Sequence, residues 1–174
     1  RPAQSPDLRQ PEWAGVQVHY LPNGAYPQSQ LLDLQPWRAS AFQGTSMPAF
    51  SVWRVPGSPV AISVGQVGST AQVRVVPTAA DTLAPTAPDA HATRTSSTVV
   101  NASWTAASDA GSGLAGYRLW ADGVLLGHAA PSATGLELAV PTPASALRVE
   151  AVDAAGNTAT SAPRVANDPS VSPA

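Results

Sequence analysis

Cysteine is absent from the 174 residues of this chain. Without a thiol there is no disulfide framework, no thiolate metal site and no sulfur nucleophile. Lysine is absent too. The nine positive charges are all arginine, at 1, 9, 38, 54, 74, 94, 118, 148 and 164, never two together. A nucleic-acid surface relies on clustered cations that displace counterions, so no nucleic-acid partner is expected. Charged residues make up 11% of the chain and the net charge is −2, against about 25% charged in an average globular protein; no acidic or basic tail is present. No apolar run approaches the roughly 20 residues that cross a bilayer, so no membrane span is expected. The chain opens at Arg1 rather than at methionine. An export signal removed upstream is expected, and with it a location outside the cell or on its surface.

What is plentiful is punctuation. Eighteen prolines and thirteen glycines favour many short strands over long helices. No stretch of a dozen residues keeps a 3.6-residue period free of both, which disfavours helix. The class predicted is all-β, two small antiparallel β-sandwich domains. Residues 1–12 read as an extended arm, 13–78 as a first β-rich domain, 79–88 as an Ala/Thr/Pro linker, 89–166 as a second sandwich and 167–174 as a tail. Domains this small bury only about 60% of their unfolded surface, so each gains from packing against the other or against neighbours.

Period-two alternation is clearest after Thr98, as half-buried antiparallel strands require. Val100, Ala102 and Trp104 share one face; Tyr117 and Leu119 share another, with Arg118 and Trp120 on its reverse. Ser108 to Gly113 reads as a loop. Asp122-Gly123 is a two-residue hairpin turn, since both residues accept positive φ. Leu136, Leu138 and Val140 alternate up to Pro141, which ends the strand. Leu147, Val149 and Ala151 alternate up to the turn Asp153-Ala-Ala-Gly-Asn157, and a last strand is expected around 159–165.

Together, Ala84-Pro-Thr-Ala-Pro88, Trp104-Thr105, Gly116-Tyr117-Arg118, Asp122-Gly123 and Ala151-Val-Asp-Ala-Ala-Gly-Asn157 resemble a bacterial fibronectin type III module in order and spacing. The resemblance covers about residues 84–166. It implies an immunoglobulin-like sandwich with Trp104 buried on the second strand and Tyr117 on the third. One position departs from it: Ser145 stands where the family carries a corner tyrosine. Such modules serve as spacers, docking surfaces or adhesive units, and fold alone does not give function.

The first half resembles no family. Strands are expected at Gly15–Tyr20, Gln30–Leu34, Phe50–Val55, Val60–Val64 and Ala71–Val75, the last two forming a hairpin across 65–70. Seven of the ten aromatics lie there. Most serve a core, but Trp13 and Trp37, set beside prolines, are expected at the surface. Trp53 fits either place. On the second domain Trp120 is expected on the outer face, against the first domain or a partner. These four tryptophans are the candidate contact residues, because an indole combines a large apolar face with one polar handle.

The fold that the resemblance implies places the loops of Asp109, Asp153 and Asn157 at one end of the second sandwich, and Asp81 and Asp89 flank the linker. Grouped carboxylate and amide oxygens suit calcium, which takes six or more oxygen ligands. Only two carboxylates are offered by that trio, and Asp and Asn are ordinary turn residues; no cofactor is expected. His19, His91 and His128 are far apart, and no nucleophile elbow, metalloprotease helix or phosphate loop occurs. The function expected is a non-catalytic structural or adhesive subunit that contacts other proteins or copies of itself. The alternative is a carbohydrate-binding accessory region of a secreted polysaccharide-degrading enzyme, with Trp37 and Trp53 meeting glycan.

Overall fold

The computed structural model describes residues 15–20, 30–31, 46–140 and 146–165. The extended arm, the tail, Trp13, Trp37 and Ser145 lie outside the described residues. The chain is all-β; among the described residues its ladders are antiparallel and one 3₁₀ turn occurs, at Thr78–Ala80.

Four two-residue strands come first. β1 (Val16–Gln17) pairs with β4 (Ser46–Met47), and β2 (His19–Tyr20) pairs with β3 (Gln30–Leu31). A three-stranded meander follows: β5 (Val52–Arg54), β6 (Val60–Val67) and β7 (Ala71–Pro77), in that order across the sheet. The hairpin between β6 and β7 is tighter than the sequence suggested, because a register shift between Val64 and Val67 lets the ladder run on to Ala71.

The remaining seven strands form a sandwich. β8 (Ala90–Ser96), β9 (Val99–Trp104) and β12 (Gly135–Ala139) make one sheet, ordered β12-β9-β8. β10 (Leu114–Ala121), β11 (Val124–Ala129), β13 (Leu147–Asp153) and β14 (Thr158–Thr160) make the other, ordered β11-β10-β13-β14. Every second residue points inward, and the core follows: Val100, Ala102, Trp104 and Leu138 face Tyr117, Leu119, Val149 and Ala151. Asp122 and Gly123 adopt φ of +48° and +82°, the positive values their hairpin demands.

Trp104 and Tyr117 stack obliquely, with ring centroids 5.2 Å apart and planes at 57°. The fully buried Tyr117 also accepts a hydrogen bond from the Ala107 N–H at 2.8 Å. Tyr117→Phe is expected to lower unfolding free energy by about 1 kcal/mol, because it strands that amide without changing the packing. A urea titration at neutral pH measures it, and an unchanged midpoint would show that water replaces the phenol.

The meander does not stand apart. Val52 and Ala61 pack with Val152, and Val76 packs with Ala154 and Ala155, Ala115 lying beside both clusters. Arginines reinforce the contact. Arg54 Nε donates to the Ala155 carbonyl at 3.0 Å and its Nη2 to Asn157 Oδ1 at 2.6 Å. Arg74 donates to the Ser112 carbonyl at 3.2 Å, and from the sandwich Arg118 donates to the Val52 carbonyl at 2.8 Å. The segment expected as a linker is laid along the sandwich: Asp81, Pro85 and Pro88 are buried, and Thr86 and Ser108 exchange two hydrogen bonds.

Candidate functional site

The outer face of β10 and β13 is set by register. Gly116 lies opposite Val152, Arg118 opposite Glu150, and Trp120 opposite Arg148. Where β10 has no side chain, at Gly116, the meander's backbone comes close. A Cβ there would lie 2.9 Å from the Phe50 carbonyl oxygen and 2.7 Å from that of Ala129. Phe50 itself has φ of +60°, a conformation that bulky side chains rarely hold. Its carbonyl also acts on His128, favouring the protonated imidazole.

Farther along the same face the meander no longer covers the sheet, and a cavity of about 240 Å³ remains. Met47, Trp53, Trp120, Leu125 and the ring of His128 line it, with Arg118 at its side. Trp53 and Trp120 are both half-buried, so the structure gathers two of the four tryptophans that the sequence singled out. Trp120 is held in place. Its Nε1 donates to Glu150 Oε2 at 3.3 Å, and the same oxygen accepts from Arg118 Nη1 at 3.3 Å. Arg118 is thereby paired with a carboxylate and with the Val52 carbonyl, and adds no free charge.

Burial pushes His128 down to about 4, the nearby Arg118 adds to the shift, and the Phe50 carbonyl opposes it. The imidazole is therefore neutral at neutral pH. Its Nδ1 is buried and lacks a hydrogen-bond partner among the described residues. On the other side of Trp120 lies a second, more polar hollow, bordered by Asp122, Arg148, Glu150 and Thr160.

At the end of the sandwich beyond Gly113, the two carboxylates that the sequence placed together do meet. Asp81, Asp109 and Asp153 each offer an oxygen within 4.8 Å of the others. Each is also a loop staple. Asp81 accepts from the Ser112 and Leu83 amides, Asp109 from Gly111 and Gly113, and Asp153 from the Asn157 amide and side chain. The Ser112 amide and then its hydroxyl hold the Asp81 carboxyl below the usual carboxylate range, against the effect of burial. Three oxygens can accept a hard cation, with water completing the six or more that calcium takes. Asn157 directs its Oδ1 at Arg54 and its Nδ2 at Asp153 and the Asp81 carbonyl. Asp89 is elsewhere, paired with Arg164 at 2.7 Å, and Arg164 is the main cause of its lowered pKa.

No family model matches the chain, and no curated protein does either.

One more surface feature was missed by the sequence reading. In β7, Gln72, Arg74 and Val76 face the sandwich, so Val73 and Val75 point away from it. They are 46% and 65% exposed. Paired residues of a ladder share a face, which places Ile62 on that outer side with Val75. Apolar alternation in 71–75 was visible, but periodicity cannot say which face a second layer will cover.

Proposed function

We propose that the protein is a non-catalytic structural or adhesive subunit of an extracellular or cell-surface assembly, and that it works through protein–protein contacts. The observation that carries this is β7. Among the described residues it pairs only with β6, so its far edge is open. The face beside that edge presents Val73 and Val75 to solvent.

An open strand of seven residues supplies a row of unpaired amides and carbonyls, and exposed valines make its pairing with another strand favourable. The usual defences are thin here. The one charge in the strand, Arg74, is turned inward to Ser112, and Pro77 stands only at the end. Reading β8–β14 as a fibronectin type III module is supported by the three-plus-four strand arrangement and by the Trp104–Tyr117 pair. Modules of that kind present strand edges and loops to neighbours.

The occupant proposed for the edge is a strand of a second copy. Light scattering on a size-exclusion column is expected to show mass rising with concentration. Val75→Arg should abolish that rise while changing stability by no more than about 0.5 kcal/mol, because the residue is exposed. A wild-type chain that stays monomeric at high concentration would remove the self-assembly reading.

A further inference from the structure

Trp120 stands between two hollows of different chemistry. On one side is the cavity lined by Met47, Trp53 and Leu125; on the other is the hollow bordered by Arg148, Glu150 and Thr160. We propose that Trp120 is the platform of a neutral-glycan site, with one sugar ring against its indole in the apolar cavity and the chain passing over it toward Arg148 and Thr160. This site is separate from the β7 edge and does not depend on it.

Three features favour a sugar. A pyranose has apolar C–H faces and a hydroxyl rim, so it needs a flat aromatic wall next to discrete polar groups; Trp120 with its two flanks offers that pairing. The platform is preorganised: the Glu150 carboxylate fixes the indole N–H, and Arg118 fixes Glu150. Little side-chain order then remains to be lost on binding. The apolar cavity also carries no net charge. Arg118 is paired, and its neighbour His128 is neutral at neutral pH. An acidic ligand would meet no unpaired cation there.

A peptide fits less well. Recognition of extended peptides draws on main-chain pairing at a sheet edge. Here β10 is paired on both sides, to β11 and β13, so Trp120 sits on the face of the sheet and offers no free ladder. Arg148 is exposed and reaches the polar hollow, where a sugar hydroxyl can accept from its guanidinium.

The test is a ¹H–¹⁵N titration of the full chain with cellopentaose, xylopentaose and chitopentaose, beside a neutral Trp-containing peptide. At least one oligosaccharide is expected to shift the indole resonances of Trp120 and Trp53 saturably at millimolar concentration or below. Trp120→Ala should weaken that binding about tenfold or more, the scale of one lost aromatic contact. Arg148→Ala, an exposed change that leaves the core alone, should weaken it several-fold. Silence of both indoles toward all three sugars would overturn the proposal. So would shifts caused by the peptide alone, or affinity that survives both substitutions.

Discussion

Gly116→Val is expected to lower the unfolding free energy by up to about 3 kcal/mol, the upper range for overpacking a tight contact. The reason is positional. A Cβ at 116 would press on the Ala129 carbonyl at 2.7 Å and the Phe50 carbonyl at 2.9 Å, and both are backbone atoms that cannot swing aside. Either the hairpin of β10 and β11 opens or the chain at Phe50 retreats from the sheet. Because β10 is paired along its length on both sides, retreat of Phe50 costs less. Hydrogen exchange separates the outcomes. Amides of β5 and β6 should lose protection while those of β9 and β13 keep theirs. Uniform loss would show that the meander and the sandwich unfold together, and a change below about 0.5 kcal/mol, ordinary for an unconstrained surface site, would contradict the close approach.

Acidification is the second large effect. His128 titrates near 4 in the folded chain, against 6.5 for an unhindered histidine. The sign follows from proton counting. Above pH 6.5 neither state binds the proton and His128 contributes no slope. Between 6.5 and 4 the unfolded chain takes up a proton that the folded chain refuses, so stability falls as pH falls. The loss reaches about 3 kcal/mol below pH 4. The lowered carboxylates act in a different window. Asp81 and Asp89 stabilise the fold above their ordinary value of 3.8, and that contribution disappears only as pH drops through their folded values. Urea midpoints at pH 7 and pH 4 report the histidine. His128→Phe should cut the difference between them to about 1 kcal/mol or less, and an unaltered difference would assign the effect to another group.

The second half of the chain was legible because its chemistry is repetitive. Val100, Ala102 and Trp104, then Tyr117 and Leu119, then Val149 and Ala151 mark one side of each strand, and Asp122-Gly123 and Asp153–Asn157 mark the turns. Two elements escaped this reading. β8 shows only Ala90 and Ala92 to the core, too small to stand out against His91, Thr93 and Arg94. β4 has two residues, and no period can be seen in two.

The candidate site was half legible. Trp53 and Trp120 could be named as unusual, and Asp109 could be grouped with Asp153. Their surroundings could not be read, because they depend on how one layer lies on another. The meander turns Arg54, Ser63 and Arg74 toward the sandwich and leaves Val73 and Val75 outside, the reverse of what alternating hydrophobicity suggests. It can do so because Ala155 and Ser112 offer carbonyls, and Asn157 an amide oxygen, that arginine can reach. Such acceptors lie about 40 to 100 residues away in the sequence and carry no local signature.

The burial of Asp81, Pro85 and Pro88 bears on how this protein can be divided in the laboratory. A fragment beginning at Asp89 would lose the carboxylate that holds the Ser112 amide and would leave Val152, Ala154 and Ala155 bare to water. Such a piece should be harder to keep in solution than the longer chain, although it contains all seven strands of the sandwich. A cut upstream of Ser46 keeps both layers, and expression trials that compare the two start points would reveal the difference before any binding assay is attempted.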